Sequence, residues 1–160
     1  LHTAYRRQRQ MCIRDRNYRN GRKNVYYLQA HLILTPVYRG KVFTKTVLDS
    51  VYNSFKKVCD RSHITILDFD TNNDHAHLLI NYPPSVSLSV LIGQLKTHST
   101  RVLKRDYFDD IEVMLCDGSF WCGSYFVGID DSEVLDRIRD YIIELGREPK
   151  GAGNPLLRKF

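Results

Sequence analysis

Asp74 to Pro84 read DHAHLLINYPP. Pro83-Pro84 close the stretch, because proline cannot donate to a sheet ladder. His75 to Tyr82 therefore reads as a strand that ends there. Upstream, HITILDF (His63 to Phe69) is a second run rich in β-branched and aromatic residues. Only the polar segment Thr71 to Asp74 separates the two runs, so they form an antiparallel hairpin. Side chains two apart on a strand share a face. His75 and His77 thus project together while Ala76 turns to the opposite layer. Two imidazoles on one rigid face are either an ordinary structural pair or a chelating pair for a divalent cation, given a third ligand. Asp74 is either a turn residue or a carboxylate that orients one imidazole.

The flanking segments extend the pattern. VYYLQAHLILT (Val25 to Thr35) reads as a strand, ended by Pro36 and followed by the basic turn YRGKVF (Tyr38 to Phe43). Thr44 to Arg61 reads as a helix, with Val47, Val51, Phe55 and Val58 at helical spacing and Leu48, Tyr52 and Cys59 widening the apolar face. Ser87 to Tyr107 is a second long helix with Ser87 as cap. Phe108 to Gly118 is an acidic connection. FWCGSYFVG (Phe120 to Gly128) is a strand, and Asp130 or Asp131 starts a last helix that runs to about Leu145 and ends at Gly146. The first six elements are the β-α-β-β-α-β order of a ferredoxin-like α+β sandwich, an antiparallel sheet with helices on one face. The other face is expected to be open, and the C-terminal helix is an addition to the plan.

Charge directs attention to the N-terminus. The formal charge is +6 over 160 residues, but residues 1–24 hold eight Arg/Lys and one Asp, a net of +7. RRQRQMCIRD (Arg6 to Asp15) can be back-translated as CGT CGG CAG CGT CAG ATG TGT ATA AGA GAC, which resembles a sequencing-library adapter; Arg16, Leu1-His2 and Thr3 to Tyr5 fit its continuation, end and index. Residues 1–16 are therefore read as a processing scar, with a real basic arm that binds nucleic acid as the alternative. Without them the net charge falls to about +2, too little to name a partner. Residues 17–24 are expected to be a disordered arm, 25–146 the domain, and 147–160 a loop-like tail. Cys12 lies in the scar, and Cys59, Cys116 and Cys122 contain no C-x-x-C pair, which favours reduced, structural cysteines and a cytoplasmic setting. No apolar run approaches the roughly 18 residues of a membrane helix.

Several segments in order carry a resemblance. DHAHLLI resembles the His-hydrophobic-His (HUH) motif of single-strand DNA endonucleases. HLILTPVYRGKVF, IGQLKTHSTRVLKRDY and FWCGSYFVGIDDSEVLDRIRDYIIE resemble, in turn, the first strand and basic turn, the second helix, and the last strand and tyrosine-bearing helix of single-tyrosine transposases, the TnpA-type, IS200-like enzymes of small bacterial insertion sequences. The resemblance spans about residues 25–146.

It implies a metal-dependent transposase that cuts and rejoins single-stranded DNA at hairpin-marked ends through a covalent 5′-phosphotyrosine. A tyrosine ester conserves the phosphodiester energy, so the cut strand can be rejoined. The implied nucleophile is Tyr141 in RIRDYIIE, with Tyr125 as its rival; spacing alone places Tyr141 at the edge of an apolar helix face. The implied metal ligands are His75 and His77, holding Mg²⁺ or Mn²⁺, with Asp74 behind them. The family has Gln four residues after the tyrosine, whereas this chain has Leu145. Glu144 is the candidate substitute ligand. Implied DNA contacts are Arg39, Lys41, Lys96, Ser99, Arg101 and Arg105, with Lys104 and Thr97 beside them. The expected partners are single-stranded DNA hairpins and a second copy of the chain, a homodimer whose sites are completed in trans. The alternative is a catalytically impaired or domesticated hairpin-binding protein of the same fold.

Overall fold

A computed structural model of the chain describes residues 19–20, 25–38, 42–72, 74–129, 140, 141 and 143. The elements are strands β1 (Arg19–Asn20), β2 (Val25–Tyr26) and β3 (Gln29–Pro36), helix α1 (Lys45–Arg61), strands β4 (Thr65–Thr71) and β5 (Ala76–Asn81), helix α2 (Leu88–Asp106), the single turn α3 (Phe108–Ile111), a 3₁₀ turn (Glu112–Met114) and strand β6 (Trp121–Ile129). The main sheet runs β4-β5-β3-β6 with every neighbour antiparallel. This is the sheet order of the ferredoxin-like plan predicted above.

The core lies between one sheet face and the two long helices. Ala30, Leu32 and Leu34 of β3 and Ala76, Leu78 and Ile80 of β5 meet Val47, Val51, Phe55 and Val58 of α1 and Leu91, Ile92, Leu95 and Leu103 of α2. Each strand contributes alternate residues, and each helix contributes one stripe. Thr44 caps α1, its hydroxyl accepting from the Val47 N–H. Ser87 occupies the N-cap of α2 without capping it; its hydroxyl pairs with that of Ser89 at 3.0 Å.

Three further differences from the sequence reading have physical causes. The run from Val25 to Thr35 is not one strand: Val25–Tyr26 pairs with Arg19–Asn20 in a small ribbon. Arg19 fastens that ribbon to the hairpin, its guanidinium donating to His63 O, Asn81 O and Thr65 Oγ1. The connection before β6 is folded, closing on an Asp117-Gly118 turn with φ 49° and 72° between Cys116 and Ser119. Two left-handed residues in succession make the tight hairpin turn that Asp-Gly favours. Finally, the second sheet face is not open: Gln29, His31, Ile33 and Thr35 of β3 are all buried there as well.

Strand β6 carries a wide bulge. Between the Leu34–Tyr125 and Pro36–Trp121 pairs, β3 advances two residues and β6 four. Lys96 of α2 holds the extra backbone, its Nζ donating to Cys122 O (2.7 Å), Gly123 O (3.1 Å) and Ser124 O (2.8 Å). The indole N–H of Trp121 donates to the buried Ser99 hydroxyl at 2.8 Å, which in turn donates to Leu95 O.

Candidate active site

The site is built on the sheet face away from α1 and α2. Since Ala76, Leu78 and Ile80 face the core, His75 and His77 take the other side, as the spacing predicts. His77 pairs with Ile33 of β3, and Ile33 pairs on its far side with Phe126 of β6. Phe126 therefore stands on the histidine face, about two strand spacings, roughly 10 Å, from His77. Asp70 of β4 continues the row on the other side of His77.

Tyr141 reaches this same face. It is helical, 2 % exposed, and its ring packs against Phe126 with centroids 5.3 Å apart. Tyr125 does not share the face. It pairs with the core-facing Leu34 and lies under the Lys96 ammonium, 5.2 Å from its ring centroid, on the side of α2. The sheet separates Tyr125 from the histidines.

Both histidines are held by neighbours. His75 Nδ1 lies 2.7 Å from Asp74 Oδ1. A carboxylate only accepts, so Nδ1 carries a proton, and Nε2 is the nitrogen not taken up by Asp74. His77 Nε2 lies 2.8 Å from Nδ1 of His31, a residue the sequence reading did not single out. Its signal was parity: His31 sits an even step from Ile33 on the strand that must adjoin β5. Burial holds His77 below the ordinary imidazole range; His31 and His75 add to this, and the carboxylates of Asp68 and Asp70 oppose it.

Two imidazoles on one face, one of them oriented by a carboxylate, suit a divalent cation as nitrogen ligands. Among the described residues no three His, Cys, Asp or Glu side chains form a complete ligand set. Glu144 and Leu145 lie outside the described residues, as do the expected DNA contacts Arg39 and Lys41. The buried Cys59 thiol, pushed up to about 12 chiefly by burial, is chemically inert here.

The remaining expected DNA contacts divide. Ser99 is fully buried with its hydroxyl engaged on both sides, which gives it a packing role. The Lys96 ammonium is engaged by three carbonyls of the β6 bulge. Lys104 lies against the Asp117-Gly118 turn. Arg105 is exposed and bound to Asp106 through two nitrogens. Arg101 does face a groove, of about 530 Å³, between α1 and α2 on their outer side, together with Arg61, Ser62, Gln94, Thr97 and His98. Burial lowers the His98 imidazole below its ordinary range, reinforced by Arg61, Lys57, Arg101 and Arg105. Arg61 and Lys57, which the sequence reading did not single out, stand i, i+4 on α1 and make a basic stripe with Arg101.

Comparison with known proteins agrees with this architecture. Residues 24–144 match the family model described as IS200-like transposase. The chain is 30% identical over 112 residues to the transposase for insertion sequence element IS200 of Salmonella typhimurium, covering 70% of this chain and 72% of that protein. It is 26% identical over 124 residues to the ISDra2 transposase TnpA of Deinococcus radiodurans, covering 78% and 88%. Among solved structures, one of a protein from Deinococcus radiodurans R1 assigned as a transposase superposes with a TM-score of 0.69 at 24% identity, covering 79% of this chain and 96% of that one. A REP-associated tyrosine transposase bound to a REP hairpin gives 0.51 at 13% identity, covering 79% and 75%; these two likenesses bear on the fold. On the family match over most of its length, the chain belongs to the IS200-like transposase family.

Proposed function

We propose that this transposase cleaves and rejoins single-stranded DNA at hairpin-marked ends, with Tyr141 as nucleophile and His75 and His77 as nitrogen ligands of Mg²⁺ or Mn²⁺. The observation that carries the reading is the placement of Tyr141, through Phe126, on the same sheet face as the histidine pair. Tyr125, on the other face, has no route to that pair.

The phenol Oη of Tyr141 attacks the scissile phosphorus. The Oη–P bond forms as the P–O3′ bond breaks; the phenol proton is lost to solvent and the leaving 3′ oxygen gains one. A free phenol ionises near pH 10 and is a weak nucleophile at neutral pH. When bound, the cation polarises the scissile phosphate and offsets charge in the transition state. His75 and His77 fix its place from a rigid strand, and Asp74 holds the His75 ring in the tautomer that binds. The groove between α1 and α2, with Arg61 and Arg101, takes the phosphate backbone of the hairpin on the opposite side of the domain. The homodimer with sites completed in trans that the family resemblance implies would require Tyr141 to leave this position on Phe126 and reach the partner's histidines.

The test uses labelled single-stranded hairpin DNA with Mn²⁺. A protein–DNA adduct that survives a denaturing gel is expected, and Tyr141→Phe should abolish it. Binding without an adduct would make the protein a hairpin-binding module, and an adduct that persists in Tyr141→Phe would remove Tyr141 from the reaction. A chain that stays monomeric at micromolar concentration would exclude completion in trans.

A further inference from the structure

His31 and His77 meet through their rings. The nitrogens Nδ1 of His31 and Nε2 of His77 are 2.8 Å apart, the ring planes differ by 9°, and the centroids are 5.1 Å apart. One short N···N contact plus a ring radius at each end accounts for the whole centroid separation. The rings are thus edge to edge in nearly one plane, the geometry of an N–H···N hydrogen bond rather than of face stacking. His31 is 6 % exposed and belongs to the central strand, so its ring is a fixed reference for that of His77.

The single proton in this bond has two possible owners with different consequences. If His31 donates, the lone pair of His77 Nε2 is used and its Nδ1 bears the other proton, leaving no nitrogen for a cation. If His77 donates from Nε2, its Nδ1 keeps a lone pair. Only the second arrangement leaves His77 a ligand. His31 itself is not a third ligand: among the described residues no three such side chains form a set.

We propose that His31 is a positioning residue, which accepts the Nε2 proton of His77 and so selects Nδ1 of His77 as its cation-binding nitrogen. His75 is prepared in the opposite sense, with Asp74 accepting a hydrogen bond from Nδ1–H and Nε2 left to bind. The pair thereby presents two unlike nitrogens, one backed by a carboxylate and one by a neutral imidazole. This inference rests on the reading of His75 and His77 as ligands.

The bond is made by Nδ1 of His31, which is as many bonds from the backbone as the side-chain oxygen of asparagine. His31→Asn can therefore restore the acceptor, whereas His31→Ala removes it and His31→Gln places it one atom too far. Long-range ¹⁵N–¹H spectra of the full chain without metal should show His77 and His31 both protonated at Nε2. Titration with Mn²⁺ alone, followed by the electron paramagnetic resonance of the free ion, should show affinity about ten- to hundred-fold weaker in His31→Ala. His31→Gln should be similarly weak and His31→Asn close to the parent. A His77 protonated at Nδ1, unchanged affinity in His31→Ala, or an equal loss in all three variants would overturn the proposal. Absence of Mn²⁺ binding by the parent would overturn the ligand reading and this inference with it, and the tautomer spectrum would then show whether the His31–His77 bond itself had been read correctly.

Discussion

Replacing Ser99 with alanine separates the packing role that the structure gives this residue from the DNA contact that the family resemblance implies. Ser99 is fully buried, and its hydroxyl is the acceptor for the indole N–H of Trp121, itself 2 % exposed. Removing the hydroxyl strands that N–H without water, which costs about 1–3 kcal/mol. The Leu95 carbonyl, which also receives the Ser99 hydroxyl, keeps its helical hydrogen bond and loses little. Alanine is the better helix former by about 0.5 kcal/mol, which offsets part of the loss. The net destabilisation is about 1–2 kcal/mol, or a drop in Tm of about 3–6 °C for a chain of this size. Trp121 is the single tryptophan of the chain, so urea unfolding followed by its fluorescence reports directly on this contact. In a Trp121→Phe background, melted by circular dichroism, the same substitution should cost almost nothing, because no donor is left unpaired. Hairpin affinity below the melting range should not change. A Ser99→Ala protein within about 0.5 kcal/mol of the parent, the scatter of an uninvolved surface site, would refute the packing role. Weakened DNA binding at undiminished stability would return Ser99 to the DNA interface.

Three other outcomes are expected. Tyr141→Phe should stay folded and lose at most about 1–2 kcal/mol, the worth of one buried hydroxyl, since the ring that packs on Phe126 is retained; urea unfolding then shows that its loss of adduct is chemical. Lys96 is lowered from 10.5 to about 8, mainly by burial, so the folded state binds its proton less well than the unfolded chain does. Stability should therefore rise from pH 8 toward 10.5 and be lost as pH falls through 8, and the parent-minus-Lys96→Met difference in urea midpoint isolates that slope. Arg101→Gln should weaken hairpin binding and reduce the slope of log affinity against log salt by about 0.9, measured by fluorescence anisotropy at several salt concentrations.

The sheet was legible because its signals are local. Alternation in Ala76, Leu78 and Ile80 against His75 and His77 gives both the strand and its sidedness, and Val47, Val51, Phe55 and Val58 give the first helix. What stayed hidden depends on pairing partners far along the chain. His31 lies 46 residues from His77, and only the register of β3 on β5 brings their rings together. Lys96 and Ser99 read as exposed polar positions because their acceptor and donor, the β6 carbonyls and the Trp121 indole, belong to a strand whose bulge no local pattern announces. The Asp117-Gly118 turn is the opposite case: its dipeptide is a standard hairpin signal, and it was overlooked amid acidic neighbours. Asp74 neighbours His75 in sequence, and its carboxylate lies 2.7 Å from that ring, while Arg39, Lys41 and Glu144 lie outside the described residues.

The bulge in β6 bears on which insertions and deletions this domain tolerates. It lengthens the strand by an even number of residues, so Trp121 and Tyr125 on either side of it keep the same facing and Phe126 stays on the face of the histidines. Gain or loss of two residues there would alter how far the chain advances before the tyrosine helix while leaving sidedness intact. A change of one would turn every later side chain of the strand over, carry Phe126 into the core and detach Tyr141 from its support. Length variation at Cys122 to Ser124 should therefore be viable in pairs and fail in single steps, with Lys96 as the clasp that any new length must still satisfy.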